Sequence, residues 1–178
     1  MAGKQTKQRG YEGVLMAKKC KLISLDTSST KSGWAYFENA KYKESGVIDL
    51  SKYKGGSEDR LKEMCLNLLT ILEKYKPDMI VIEKLNVSRN MNAVRVLSKV
   101  IGAVYTYYIQ NDSCSYFEVQ PTQWRSRLGM QDGRKKREEL KKMSVEYVRD
   151  NLDIEVSDDE ADAICAGFGY IKLISENS

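Results

Sequence analysis

Apolar and polar residues follow strand-like patterns near the beginning of the chain. Residues 20–26 form a mostly apolar run, and residues 33–38 and 43–50 form two more runs of strand length. The first two runs are separated by a Ser/Thr-rich turn, and all three are joined by short connections. This pattern predicts an antiparallel meander of three strands.

The rest of the chain alternates between short buried runs and apolar stripes at helical spacing. The run 79–82 is wholly apolar, which is typical of a central parallel strand that is covered on both faces. Another strand is predicted over residues 115–119, and a loop is predicted to open at Pro121. Helices are predicted over residues 61–75, 93–108, 134–150 and 157–174.

The predicted order of elements is β-β-β-α-β-α-β-α-α. Three antiparallel strands lead into two crossover units, which predicts an α/β protein whose mixed five-stranded sheet is flanked by helices. This arrangement matches the ribonuclease H-like fold. The chain of 178 residues suits one domain. We expect that domain to span residues 20–178, after a basic and mobile arm over residues 1–19.

The composition excludes several classes of function. The chain contains no histidine, which removes histidine-based triads, most catalytic zinc sites and histidine general bases. The four cysteines lie far apart without C-x-x-C spacing, which favours a reduced, cytoplasmic protein over a disulfide scaffold. No apolar run approaches the ~20 residues of a membrane span, so we expect no membrane partner.

Charge is distributed unevenly along the chain. Residues 121–142 contain eight basic and three acidic residues, whereas residues 150–178 contain eight acidic residues and one basic residue. A basic stretch followed by an acidic one suits a protein that grips a polyanion and also binds cations. A solvated helix with pairs such as Glu138–Lys142 explains the basic stretch equally well.

The polyanion interpretation provides a set of candidate nucleic-acid contacts. Trp124 has two interpretations, because its ring could stack on a base or anchor the predicted loop on the core. The candidates are Arg89, Trp124, Arg125, Arg127, Arg134, Lys135, Lys136 and Arg137.

Two carboxylates lie at the ends of predicted strands. Asp26 ends the first strand, and Glu83 comes directly after the apolar run 79–82. A charged residue there is costly unless it is paired or bound to a metal ion. Sites form beyond the carboxyl ends of parallel strands, so Asp26 and Glu83 should meet if their strands are neighbours. Alternatively, Asp26 is a turn residue that binds the Ser/Thr-rich loop.

Two more carboxylates lie at the predicted start of the last helix. Ser157 and Glu160 match a capping box, which indicates a helix N-terminus. Asp159 and Asp162 then lie three residues apart and share a helix face. Alternatively, Asp159 and the adjacent Asp158 only interact with the positive end of the helix dipole.

Four converging carboxylates would repel one another and need compensating cations to remain ionised at neutral pH. Ligands that are all oxygen select hard ions such as Mg²⁺ or Mn²⁺. Two such ions roughly 4 Å apart can activate water and stabilise the leaving oxygen of a phosphodiester. The chain is therefore predicted to cleave phosphodiesters with metal ions. The predicted catalytic residues and metal ligands are Asp26, Glu83, Asp159 and Asp162.

The order and spacing of these motifs resemble those of the RuvC family of Holliday junction resolvases. The strand ending in Asp, the small-residue turn and the Gly-containing strand correspond to residues 23–34. The strand ending in Glu corresponds to residues 80–83. The D-x-x-D-A motif and its apolar helix begin at Asp159. The resemblance covers about residues 21–172.

The resemblance implies an endodeoxyribonuclease that acts as a homodimer on a four-way DNA junction. Paired nicks with 5′-phosphate products and two Mg²⁺ ions per site, with Mn²⁺ as a substitute, are implied as well. It also implies a catalytic lysine on the helix before the acidic motif, where Lys135 or Lys136 fits. We interpret that lysine as a contact to the scissile phosphate. The lysine-rich composition and basic N-terminus resemble phage-encoded members, whose location is the host cytoplasm.

Other functions remain open from the sequence. Family members often have an aromatic residue just after the strand-ending Glu, whereas residues 84–87 contain none. Branched DNA other than a four-way junction is therefore a possible substrate. A YqgF-type nuclease shares the fold and acts on structured RNA. A junction-binding protein without activity is a third interpretation, against which the retention of all four carboxylates argues.

Overall fold

The computed structural model describes residues 20–84, 91–130, 133 and 135–176. The predicted arm, residues 1–19, lies outside the described residues. The strands are β1 (Lys21–Asp26), β2 (Lys31–Glu38), β3 (Lys41–Asp49), β4 (Met79–Glu83) and β5 (Ser115–Val119). The helices are α1 (Ser57–Tyr75), α2 (Met91–Gln110), α3 (Pro121–Arg127), α4 (Arg137–Leu152) and α5 (Asp158–Ser175).

The five strands form one mixed sheet in the order β3-β2-β1-β4-β5. β1, β2 and β3 are antiparallel neighbours, whereas β4 pairs parallel to both β1 and β5. The predicted five-stranded α/β arrangement is confirmed. β1 lies directly beside β4, which is the neighbour relation that a meeting of their carboxyl ends requires.

Each central strand contributes side chains to two hydrophobic clusters, because successive residues point to opposite faces of a sheet. Leu22 and Met79 pack with α5 on one face. Ile23 and Ile80 pack with α1 and α2 on the other face. Coverage on both faces explains why Ser24 is the only polar residue within 22–25 of β1 and why residues 79–82 of β4 are all apolar.

Small residues bring α5 close to the sheet and to α3. Ser24 Oγ donates a hydrogen bond to the backbone carbonyl of Ala163 at 2.6 Å. A Cβ added at Gly33 would lie only 1.9 Å from the backbone oxygen of Asp159, so α5 begins directly on β2. This close approach carries the acidic first turns of α5 over the end of the sheet.

Two predicted elements were wrong in detail. The segment that begins at Pro121, predicted as a loop, forms the short helix α3 with Pro121 in its first turn. Proline is tolerated there because its missing N–H needs no helical partner. The basic helix predicted over residues 134–150 instead spans Arg137–Leu152 and has Lys136 as its N-cap. The Lys136 backbone N–H donates to Glu139 Oε2 at 2.7 Å, which fixes this start.

The structure also bears on the predictions from composition. All four cysteines are free thiols. Among the helices in the described part of the chain, none has the length and apolar character needed to cross a membrane.

Candidate active site

Asp26 and Glu83 lie at the carboxyl ends of adjacent parallel strands. Leu25 of β1 pairs with Ile82 of β4, so the next residue of each strand lies side by side at the same edge. Alternation along a strand places Asp26 on the face of Ser24, which contacts α5. The same alternation places Glu83 on the face of the sheet that α5 covers.

Asp162 comes to the same place from α5. The helix begins at Asp158, with the Ser157 hydroxyl as an N-cap that accepts a hydrogen bond from the Glu160 backbone N–H. Asp162 is only 7% exposed, one turn inside the helix. Together with Asp26 and Glu83, it lines a cavity of about 450 Å³.

Burial and repulsion act together on these three carboxylates. Burial raises the pKa of Asp26 well above its ordinary value, and the charges of the other three candidate carboxylates raise it further. Burial is also the main cause that raises the pKa values of Glu83 and Asp162. The protein compensates this concentrated negative charge only in part, and added cations would relieve the repulsion.

Asp159 lies outside the lining of this cavity and is engaged by a lysine. Lys141 of α4 places its Nζ 3.2 Å from Asp159 Oδ1 and 2.6 Å from Asp158 Oδ2. The hydrogen bond from Lys141 lowers the pKa of Asp158. Lys141 itself lines the cavity.

Sequence reasoning did not single out Lys141. It chose Lys135 and Lys136, which are exposed and precede α4 rather than lying on it. The sequence does contain a signal for the observed start of α4, because Glu139 lies three residues after Lys136 and accepts a hydrogen bond from its backbone N–H. Counting from that start places Lys141 in the second turn of α4.

The other basic candidates occupy different surroundings. Arg125 and Arg137 line the cavity with the carboxylates. Arg127 is exposed and pairs with Glu176 at 2.9 Å. Arg89 and Arg134 lie outside the described residues.

Trp124 does not fit the predicted contact with a base. Its side chain is completely buried, so no base can stack on it. The indole Nε1 instead donates a hydrogen bond to Glu83 Oε2 at 3.2 Å. The guanidinium carbon of Arg125 lies 4.4 Å from the centre of the Trp124 ring. Trp124 therefore orients one carboxylate and supports one arginine of the cavity.

The side chains that could hold a metal ion provide only oxygen ligands, a set that favours Mg²⁺ or Mn²⁺. Within the described ranges, no three acidic or cysteine side chains are already arranged to hold one ion. Trp124 and Ser144 donate hydrogen bonds to Glu83 and Asp162, respectively. One oxygen of each of these two carboxylates therefore accepts a hydrogen bond from the protein, and each carboxylate has a second oxygen.

This combination of fold and site can be compared with known families. Residues 22–167 match the family described as crossover junction endodeoxyribonuclease RuvC. The chain belongs to the RuvC family. The match extends over β1 to β5 and includes most of α5, so it contains all of the candidate carboxylates.

Two RuvC relatives show how far the sequence similarity extends. The protein named crossover junction endodeoxyribonuclease RuvC from Caldicellulosiruptor saccharolyticus is 26% identical over 155 residues, covering 85% of this chain and 92% of that protein. RuvC from Hydrogenovibrio crunogenus is 29% identical over 93 residues, covering 50% of this chain and 53% of that protein.

The structure of T. thermophilus RuvC in complex with a Holliday junction substrate has a similar fold. It matches with a TM-score of 0.70 at 15% identity, covering 88% of this chain and 96% of that chain. At this identity the similarity shows the shared ribonuclease H-like fold. The functional argument therefore rests on the family membership and on the residues of the site.

Proposed function

We propose that this RuvC-family chain is a metal-dependent endonuclease that nicks Holliday junctions by hydrolysing phosphodiester bonds. The convergence of Asp26, Glu83 and Asp162 on one cavity supports this proposal most directly. The curated relatives are named crossover junction endodeoxyribonucleases, and the T. thermophilus structure contains Holliday junction substrate. The activity thus fits both the site and the family.

Asp26, Glu83, Asp159 and Asp162 would hold two Mg²⁺ ions, for which Mn²⁺ would substitute. When bound, the ions would supply an activated water and stabilise the charge on the leaving oxygen. The fit rests on the all-oxygen donor set and on the placement of three buried or partly buried carboxylates, Asp26, Glu83 and Asp162, around one cavity.

Basic residues around the carboxylates would bind the DNA backbone. Arg125 and Arg137 line the cavity and would contact the phosphate that enters it, because a guanidinium can donate two parallel hydrogen bonds to phosphate. Lys135 and Lys136 are exposed just before Arg137 and would contact a neighbouring phosphate. These contacts position the strand without reading its sequence.

A cleavage panel tests the proposed function. Labelled four-way, three-way, flap and linear DNA and a structured RNA are incubated with Mg²⁺, Mn²⁺, Ca²⁺ or EDTA. We expect Mg²⁺ and Mn²⁺ to support nicking of the four-way junction, with 5′-phosphate products. Preferential cutting of RNA would favour the YqgF-type function. Junction binding without cutting under every metal condition would favour the inactive binding protein.

We also propose that the outer face of α2 is the homodimer interface. Met91, Tyr105 and Ile109 are exposed to 60%, 44% and 61%, which is high for large apolar side chains. Gly102 lies between them in the helix, and a Cβ there would meet nothing within 4 Å. An open apolar stripe with a small residue at its centre suits a second helix from another copy of the chain.

Gly102→Arg is expected to convert the dimer into a monomer. The arginine places a charged side chain in the middle of the proposed interface, while the open space around Gly102 leaves the monomer fold unaffected. Light scattering coupled to size-exclusion chromatography measures the mass, which is 20.3 kDa for one chain. Gly102→Ala is the matched control and should remain dimeric. A dimeric Gly102→Arg protein would place the interface elsewhere.

A further inference from the structure

Lys141 lies between two parts of the candidate site. Its Nζ contacts Asp158 and Asp159 at 2.6 and 3.2 Å, and its side chain is only 23% exposed. The same side chain lines the cavity that contains Asp26 and Glu83. A partly buried ammonium group between carboxylates is held more firmly than a surface ion pair, because water screens it less.

The helix that carries Lys141 engages the acidic helix at a second point. Ser144, three residues further along α4, is fully buried and donates to Asp162 Oδ1 at 2.6 Å. One turn of α4 therefore contacts both candidate carboxylates of α5. Ser144 offers a neutral donor to Asp162, whereas Lys141 offers a full positive charge to Asp159.

We infer that Lys141 is the internal counter-cation of Asp159 and competes with a divalent ion for that carboxylate. This inference rests on the proposed function. For Asp159 to take up an ion, Lys141 has to leave Asp159 Oδ1. The ion that depends on Asp159 is therefore bound more weakly than an ion that depends on the three carboxylates of the cavity.

Competition between Lys141 and a metal ion for Asp159 would also change the distribution of charge in the site. The ammonium group displaced from Asp159 stays on α4 at the wall of the cavity, where it can pair with a DNA phosphate. Metal uptake by Asp159 would then release a positive charge for the substrate. Lys141 is in this respect a positioning residue that links the metal content of the site to phosphate binding.

Calorimetric titration of the DNA-free protein with Mn²⁺ measures the affinity for each ion and tests this inference. Lys141→Met removes the charge and keeps an apolar side chain of similar length. We expect the weaker Mn²⁺ ion to bind on the order of tenfold more tightly to this variant, because loss of one charged competitor is comparable to one charge-assisted hydrogen bond. The affinity for the tighter Mn²⁺ ion should rise less, because Lys141 acts on Asp26 and Asp162 through its charge without a direct hydrogen bond.

A matched control and a second variant show whether the change in affinity comes from the charge of Lys141. Lys142→Met changes the adjacent residue, which is 76% exposed and pairs with Glu146, and should leave both affinities unchanged. Lys141→Gln keeps a hydrogen-bond donor to Asp158 without the charge and should show the same tightening as Lys141→Met. It therefore provides the result if the methionine variant does not fold.

The outcomes separate this inference from the proposed function. The inference would be overturned if both folded Lys141 variants bound the weaker Mn²⁺ ion with the wild-type affinity or with a lower one. Lys141 would then only anchor α5. In that case, wild-type metal binding and junction cleavage would still stand. Absence of Mn²⁺ binding in the wild type and in both variants would overturn the proposed metal site as well.

Discussion

Asp26→Asn is expected to reduce Mg²⁺-dependent cleavage of a four-way junction by at least about 10³-fold. The amide is close in size to the carboxylate but lacks the negative charge with which Asp26 would hold a metal ion. Junction binding should persist, because the basic residues around the cavity are unchanged and carry the phosphate contacts. Single-turnover cleavage and a gel-shift assay in Ca²⁺ measure the two properties separately.

The same substitution is expected to stabilise the metal-free protein at neutral to basic pH. The folded-state pKa of Asp26 lies well above its ordinary value, because of burial first and neighbouring carboxylates second. The unfolded chain therefore releases this proton at lower pH, and the stability of the folded state falls as pH rises through the interval between the two pKa values. The amide of the variant does not titrate, so its melting temperature in EDTA at pH 8 should be higher than that of the wild type. Each ~1 kcal/mol of destabilisation that the substitution removes should raise the melting temperature by roughly 2–4 °C.

Measurements at lower pH and a matched control test whether the higher melting temperature of Asp26→Asn comes from the titration of Asp26. The difference in melting temperature should shrink as the pH falls toward about 3, where wild-type Asp26 is mostly protonated in both the folded and the unfolded state. Asp150→Asn changes an exposed carboxylate of α4 that pairs with Arg149, and it should affect neither cleavage nor this pH dependence. Wild-type cleavage by Asp26→Asn would contradict the catalytic assignment. A melting difference that is absent at pH 8 would contradict the raised pKa of the buried Asp26.

The strand ends could be located from the sequence because a buried strand leaves a clear pattern. Asp26 and Glu83 each follow an apolar run, and the alternation of side chains then determines the face on which each carboxylate lies. The pairing of β1 with β4 could not be read in the same way. Runs that are apolar on both faces do not specify their neighbours, so the meeting of Asp26 and Glu83 remained conditional on this pairing.

The surroundings of the carboxylates were less predictable, since they depend on contacts between distant residues and on short elements. α3 has only seven residues, too few to show a helical period, so the sequence left open whether Trp124 anchors this segment on the core or stacks on a base. The pairs of Lys141 with Asp159 and of Ser144 with Asp162 join residues 18 positions apart. Because the start of α4 was predicted three residues too early, Lys135 and Lys136 were expected on this helix, and Lys141 was not considered.

The role of Gly33 could not be predicted from the sequence, because a sequence does not show which element packs over a glycine in a strand. Gly33 pairs with Asp26 in the sheet, and its missing side chain leaves room for the backbone of Asp159. One position thus aligns the first strand with the start of the acidic helix. Its substitution should affect the site through geometry, with every carboxylate and basic residue still present.

Gly33→Ala is expected to reduce junction cleavage roughly 10²-fold, because a displacement of about 1 Å at reacting groups has effects of that size. The added Cβ would lie 1.9 Å from the Asp159 oxygen and 2.6 Å from its carbonyl carbon, so the first turn of α5 has to move away from β2. Overpacking of this kind also costs about 1–3 kcal/mol of stability. Cleavage rates are therefore measured well below the melting temperature of the variant.

Gly46→Ala separates displacement of α5 from a general loss of stability. Gly46 lies on the adjacent strand β3, and the three atoms nearest to a Cβ there would be ring atoms of Trp34, at 3.0 to 3.1 Å. This variant should lose some stability and keep wild-type cleavage, since no backbone near the carboxylates has to move. If Gly33→Ala cleaved as fast as Gly46→Ala at equal folded fraction, the close contact between β2 and α5 would not determine the position of the acidic helix. A selective defect in Gly33→Ala would show that catalysis depends on a glycine that contributes no functional group.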